Sequence, residues 1–148
     1  MKKIIFIFLL FFLIIETETN AQKVFIVKDL PDGWNTVNLE GGMAYDGEIF
    51  EGKIDGEGRM IWPDSSSYSG SWLNNTRDGK GTMRWKNGNV YMGMFKDDEI
   101  NGRGTLTYAD GHKYAGKFKE GVPHGSGKFI YSDGKTVKCK HTQGQLKK

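Results

Sequence analysis

The sequence predicts an all-β protein: an elongated, single-layer antiparallel meander of β-hairpin repeats, preceded by a helical signal peptide. The first observation is a tyrosine that recurs every 23 residues, at Tyr45, Tyr68, Tyr91 and Tyr114. The second is that the residues around each tyrosine alternate with period two, which is typical of strands. A fixed period of this length indicates a repeat array. The third observation is a set of glycines two, eleven and thirteen residues after each tyrosine, namely Gly47, Gly56, Gly58, Gly70, Gly79, Gly81, Gly93, Gly102, Gly104, Gly116, Gly125 and Gly127.

The residues before the array form a separate element. A basic start of two lysines is followed by an unbroken run of twelve apolar residues, Ile4 to Ile15. Thr19 and Ala21 are small enough for the two positions before a cleavage site. This order predicts a signal peptide over residues 1–21, cut after Ala21, and an exported protein that is secreted or lies in the periplasm or cell envelope. The alternative is an uncleaved anchor, although a bilayer span needs about 20 apolar residues.

The tyrosine register divides the rest of the chain into copies, each of which is predicted to be a β-hairpin. Asn-Gly or Asp-Gly pairs such as Asn87-Gly88 mark the turns between copies. The first copy has Pro63 to Ser67 in that place, so we expect a wider and more mobile loop there. Degenerate ends are predicted to cap the sheet, because open edges invite aggregation. The predicted divisions are a degenerate N-terminal capping repeat (22–44), four repeats (45–67, 68–90, 91–113 and 114–136), and a partial C-terminal repeat with a basic tail (137–148).

The repeated glycines need a physical reason, because glycine weakens a strand. The usual reason is that another group approaches the backbone closely. Here the candidates are the large rings of neighbouring strands. We expect these rings to lie over the glycines, so that the sheet covers its own face without a second full layer. The glycines are therefore predicted to be structural.

The combined pattern is Tyr-x-Gly-x-aromatic, then Gly-x-Gly-x-hydrophobic-x-aromatic, then Asp-Gly. With its period of 23 residues it resembles the MORN repeat (membrane occupation and recognition nexus). The match is strong over residues 45–136, and Tyr114 to Phe118 and His124 to Phe129 follow it as closely as any segment. The resemblance implies an elongated, twisted single-layer sheet with an aromatic-lined groove. It also implies protein–protein association, dimerisation or contact with membrane lipids, with motif residues that are structural and not catalytic.

One face of the predicted sheet carries the aromatic side chains, and a single layer cannot bury both of its faces. Most of these rings are expected to pack on the glycines, but a contiguous exposed apolar strip usually marks an interaction surface. Trp72 and Trp85 are the best predicted anchors, because tryptophan is favoured at binding hot spots. The candidate interaction face consists of Tyr68, Trp72, Trp85, Tyr91, Phe95, Tyr108, Tyr114 and Phe118.

The residues predict a protein that is not an enzyme and that holds no metal or cofactor. None of the three histidines lies in a recognisable nucleophile motif. Asp46 and Glu48 are better explained as a solvated face than as an acid–base pair. The Gly-x-Gly pairs open strands and do not lead from strand to helix, which excludes a phosphate-binding loop. The single cysteine, Cys139, cannot form an internal disulfide and is interpreted as a small buried hydrophobe.

The predicted function is an exported module that mediates protein–protein interaction or scaffolding, with a protein partner or a second copy of itself. The alternative is an anionic membrane surface, contacted through the lysine-rich end together with Lys117, Lys119, Lys128 and Lys135. A less favoured alternative is a polysaccharide on the aromatic face. Nucleic acid is not expected, because the net charge is only +3 and the aromatic face carries almost no interleaved basic residues.

Overall fold

The computed structural model describes residues 30–146, which form one eleven-stranded antiparallel sheet. The strands pair in chain order, so each inner strand lies between its two sequence neighbours. This confirms the predicted all-β meander of hairpins, whereas the predicted signal peptide lies outside the described residues. Among the described residues, no helix is long and apolar enough to span a bilayer. The strands are β1 (Gly33–Leu39), β2 (Met43–Phe50), β3 (Lys53–Ile61), β4 (Ser67–Leu73), β5 (Thr76–Arg84), β6 (Val90–Lys96), β7 (Glu99–Thr107), β8 (Lys113–Lys119), β9 (Val122–Ile130), β10 (Thr136–Thr142) and β11 (Gln145–Leu146), with a 3-10 turn (Glu40–Gly42) between β1 and β2.

Two kinds of turn alternate along the sheet. Within each copy the turn has two residues with positive φ, as at Asn74 (49°) and Asn75 (69°). Positive φ at both positions defines a type I′ turn, whose twist matches that of the flanking strands. Between copies the loop has three residues: the Trp85 N–H donates to the Asn89 carbonyl oxygen at 3.0 Å, and Gly88 has a φ of 86°. The Asn-Gly and Asp-Gly pairs therefore mark hairpins, as predicted, through this longer loop.

The loop of the first copy has the same length as the others, so the expectation of a wider loop there is wrong. The Trp62 N–H donates to the Ser66 carbonyl oxygen at 3.0 Å, which encloses the same three residues. Ser65 takes the left-handed conformation, with a φ of 69°, that glycine supplies elsewhere. The Asp64 carboxylate accepts the Ser66 N–H at 2.9 Å and the Ser66 hydroxyl at 2.6 Å. These two bonds fix the loop and hold the pKa of the Asp64 carboxyl below its ordinary value.

A β-bulge interrupts each hairpin close to its type I′ turn. In the second copy the register skips between Gly70 and Trp72, so Ser71 alone faces three residues of β5 around Gly79. Gly79 has a φ of 104°, a conformation that residues with a Cβ rarely adopt. The glycine at this position serves the backbone of the bulge. The expectation that a ring covers every repeat glycine is therefore wrong for Gly56, Gly79, Gly102 and Gly125.

The other two glycines of each copy do lie under a ring, as predicted. Tyr91 extends over Gly93 on its own strand and reaches Gly104, which is the partner of Gly93 on β7. A Cβ built on Gly104 would overlap the Tyr91 ring. The Tyr91 hydroxyl then donates to the carbonyl oxygen of Met94, beside the bulge, at 3.1 Å. The other three repeat tyrosines make the equivalent bond at 2.9 to 3.4 Å.

Adding one methyl group at Gly104 tests this packing. Gly104→Ala places the new Cβ within the Tyr91 ring, so we expect the free energy of unfolding to fall by about 1–3 kcal/mol, the usual cost of overpacking. Chemical denaturation of the mature chain measures it. The control is the same change in a Tyr91→Leu background, where the ring is gone and the added cost should be smaller. Equal costs in the two backgrounds would contradict the packing of ring on glycine.

Candidate functional site

The core of this single-layer sheet is a ladder of edge-to-face aromatic contacts. Tyr68 contacts Trp72 of its own copy and Phe95 of the next, with ring centroids 5.1 and 5.0 Å apart. Tyr91 continues the ladder with Phe95 at 5.3 Å and Phe118 at 5.1 Å. Such pairs contribute about 0.5–1.5 kcal/mol each beyond the area that they bury. The ladder therefore joins each copy to the next and takes the place of a second layer.

The ladder continues past the fourth copy to a histidine. His141 follows Phe118 by 23 residues, and its ring meets Tyr114 edge-on with centroids 5.2 Å apart. Cys139, which lies two residues earlier on the same strand, is half-buried. The tyrosine register identifies the ring position of His141, although the residue type does not.

Six of the eight residues of the candidate interaction face belong to the ladder, and all six are buried. Trp72, a predicted anchor, is only 5% exposed, and its indole N–H donates to the Gly58 carbonyl oxygen at 3.3 Å. Packing uses most of the surface of these rings, so little of it is available to a partner. Of the predicted face, Trp85 and Tyr108 remain half-buried. The buried six are Tyr68, Trp72, Tyr91, Phe95, Tyr114 and Phe118.

Trp85 and Tyr108 belong to a second aromatic row, which lies beside the ladder. We call this row the aromatic rim; its members are Trp62, Trp85, Tyr108 and Tyr131, each seventeen residues after a repeat tyrosine. The first three are half-buried against the core, and Tyr131 is 39% exposed. The predicted face omits Trp62 and Tyr131, although the same register would have identified them.

Hydrogen bonds between loops hold the rim in place. The Asn89 side-chain oxygen accepts the Ala109 N–H at 3.0 Å, and the His112 Nδ1 accepts the Ser132 N–H at 3.3 Å. Each bond ties one inter-copy loop to the next. The His112 ring also meets Tyr131 edge-on at 5.5 Å. The rim is therefore a fixed surface that follows the repeat.

The copies outlined by the ladder and the rim are also the segments that match a known family. The model of the MORN repeat matches residues 45–67, 68–90, 91–113 and 114–136. The chain belongs to the MORN repeat family. The resemblance read from the tyrosine–glycine pattern is thus confirmed. In this chain, the MORN pattern corresponds to a tyrosine that covers two glycines and a third glycine that forms the bulge.

A solved structure with some likeness to this MORN chain is the TCP domain of SAS-4 from Drosophila melanogaster, in complex with a proline-rich motif of Ana2. The identity is 13%, and the match covers 73% of this chain and 71% of that domain, with a TM-score of 0.39. A likeness at that level supports no conclusion about function. No curated protein sequence matches the chain.

One side chain of the inner face departs from the MORN register. Arg77 occupies the position at which the first and third copies have Ile54 and Ile100. Its guanidinium carbon lies 5.8 and 5.5 Å from the centres of two ladder rings, and its Nε pairs with the Asp98 carboxylate at 2.9 Å. The same carboxylate accepts the Arg77 backbone N–H at 2.9 Å. The arginine is thus held between two MORN copies as a structural ion pair.

The carboxylates that were weighed as an acid–base pair hold strands together. Asp46 accepts the indole N–H of Trp34 at 2.8 Å and the hydroxyl of Thr36 at 2.9 Å. Glu48 accepts the backbone N–H of Glu57 at 2.7 Å. Within residues 30–146, no group of three His, Cys, Asp or Glu side chains could hold a metal ion.

Burial raises the pKa of the repeat tyrosines, because the phenolate would lose its hydration in the core. For Tyr91 burial raises the pKa from 10.0 to about 12. The pKa values of Tyr45, Tyr68 and Tyr114 are raised for the same main reason. These MORN tyrosines therefore act as neutral hydrogen-bond donors at all physiological pH values.

This shift predicts loss of stability in alkali. The folded protein holds the Tyr91 proton more tightly than the unfolded chain, so its contribution is complete below pH 10 and is lost as the pH rises through about 12. We expect about 2–3 kcal/mol of unfolding free energy to be lost over that interval for Tyr91 alone. Denaturant unfolding at a series of pH values measures it. Tyr91→Phe should flatten the dependence, and an unchanged slope would contradict the assignment.

Proposed function

We propose that this MORN chain is an exported, non-catalytic module that binds a protein partner through its aromatic rim. The observation that carries the proposal is a difference in exposure. The ladder rings are almost completely buried, whereas the rim rings pack one edge against the core and leave the other in solvent. Aromatic side chains with one apolar and one wet edge are favoured at protein interfaces.

The spacing of the rim suits an extended segment of a partner. Consecutive rim rings are two strands apart, which is about 10 Å at ~4.8 Å per strand. That distance corresponds to about three residues of an extended chain. A segment that crosses the strands above the rim can therefore place every third side chain between two rings. The loop-to-loop hydrogen bonds of Asn89 and His112 supply the rigidity that reduces the entropic cost of binding.

Export rests on the leader over residues 1–21, and its processing gives a direct test. We expect the protein recovered from the medium or the cell envelope to begin at Gln22, because Ala21 ends the predicted cleavage site. N-terminal sequencing or intact-mass measurement decides the point. A protein that retains the apolar run from Ile4 to Ile15 would be anchored, which would contradict the cleaved form.

Binding at the rim is tested by capture from the native medium or envelope. We expect a protein captured by the mature wild-type chain to be lost with Trp62→Ser/Trp85→Ser, because the rim loses its two indoles. The matched control is Trp34→Ser, which removes an indole that is 63% exposed on the opposite face. Capture by this control should be unchanged.

Thermal melting of each variant separates loss of binding from loss of folding. Trp85→Phe serves as a milder change that keeps an aromatic ring in contact with the core. If the double variant melts like the wild type and captures the same protein in the same amount, the rim is not the binding surface. Sedimentation of the mature chain at micromolar concentration shows whether the partner is a second copy.

A further inference from the structure

The face opposite the ladder has a charge pattern of its own. Its side chains lie one, three, twelve and fourteen residues after each repeat tyrosine, as strand alternation requires. In the first copy three of these positions are acidic, Asp46, Glu48 and Glu57, beside one arginine. From the second copy onward every charged side chain at these positions is basic. We call these side chains the basic face: Lys80, Arg103, Lys117, Lys128, Lys138 and Lys140.

The strand register opposes like charges within the basic face. Arg103 on β7 lies directly across from Lys117 on β8, and Lys128 on β9 lies directly across from Lys138 on β10. Like charges directly opposite one another destabilise a sheet. None of the residues of the basic face forms an ion pair with a carboxylate in the described part of the chain. The arrangement therefore leaves repulsion that an anionic ligand would relieve.

An apolar hollow lies beside these charges. Met92 on β6 is 63% exposed, and with Met94 it borders a shallow depression of about 420 Å³. Lys80 and Arg103 line the same depression, one on each side of β6. An exposed methionine is an adaptable apolar contact that suits varied side chains. The hollow thus offers a place for one apolar side chain next to cationic groups.

We propose that the basic face docks an acidic, extended segment of a partner protein, with one apolar side chain of that segment over Met92. The charge of the face selects the acidic partner, and the hollow fixes its register. The Arg103–Lys117 pair and the Lys128–Lys138 pair are about two strands apart, or ~10 Å. Acidic residues about three positions apart in an extended segment match that interval.

The twist of the sheet favours a protein segment over a membrane. Adjacent strands rotate by about 20–25°, so the side chains on β5 and β10 point in directions that differ by roughly 100°. A bilayer is flat on this scale and can meet only part of the basic face at one time. A flexible segment can follow the twist and contact all of it. This surface is distinct from the aromatic rim, so the inference stands apart from the function proposed there.

The probe for this surface is an acetylated peptide of about ten residues, with one leucine followed by glutamates at every third position. Fluorescence anisotropy of the labelled peptide with the mature chain measures affinity over a salt series. We expect binding at least about tenfold tighter than that of a peptide with glutamine in place of glutamate, and an affinity that falls with salt. A peptide with serine in place of leucine should bind more weakly, and Met92→Ser should abolish that difference.

Matched lysine variants locate the site. Lys117→Gln/Lys128→Gln should weaken peptide binding about tenfold, because it removes one cation from each like-charge pair. Lys86→Gln/Lys135→Gln makes the same charge change in loops between strands, and it should alter affinity by less than about twofold. The first variant should melt no lower than the wild type, since it relieves repulsion, so weaker binding would not reflect unfolding.

Two results would overturn the proposal. Equal weakening by the two double variants would show general charge attraction without a site. Co-sedimentation with vesicles of phosphatidylcholine and phosphatidylserine, together with no binding of the acidic peptide, would make a membrane the occupant of this face.

Discussion

The structure depends on the contact of one tyrosine ring with two glycines. Tyr91 can lie along its strand only because Gly93 and Gly104 lack a Cβ, and its hydroxyl then reaches the Met94 carbonyl oxygen at 3.1 Å. That carbonyl lies beside the bulge that Gly102 makes possible, with its φ of 106°. Ring, glycine pair and bulge therefore require one another. This mutual requirement explains why all of them repeat with a single period.

The same contact lets one layer of sheet have a core. A flat-lying tyrosine presents its edges to the rings before and after it, which gives perpendicular contacts such as Tyr68 with Trp72 and Phe95. Only inward positions take part in the ladder, so the outward positions carry little of the packing. One outward position can therefore hold an acid, a serine, a methionine, an alanine and a lysine in successive copies, at Asp46, Ser69, Met92, Ala115 and Lys138. Surface chemistry can change along the array without disturbing the core.

The sequence predicts the fold and the faces, but it does not predict depth or register. Period two places Trp72 and Trp85 on one face, yet Trp72 lies within the ladder and Trp85 at its side. The bulge keeps the alternation of faces and is therefore invisible to a period-two pattern. Ser65 adopts the conformation expected of glycine, a backbone property that its side chain does not announce. The opposition of Arg103 and Lys117 also requires the pairing of β7 with β8, which spacing alone does not give.

The two faces of the sheet differ in what determines their residues. On the inner face each departure from the pattern is compensated, as where Asp98 pairs with Arg77. On the outer face Asp46 lies across from Arg59, so a favourable cross-strand charge pair is available to this fold. The later copies do not use it, and they place Arg103 against Lys117 and Lys128 against Lys138. A sheet that needed only stability would gain from an acidic residue at any of these positions. The basic face is therefore better explained by binding than by folding. Because the basic face and the aromatic rim project from opposite sides of the same layer, a partner on one leaves the other accessible.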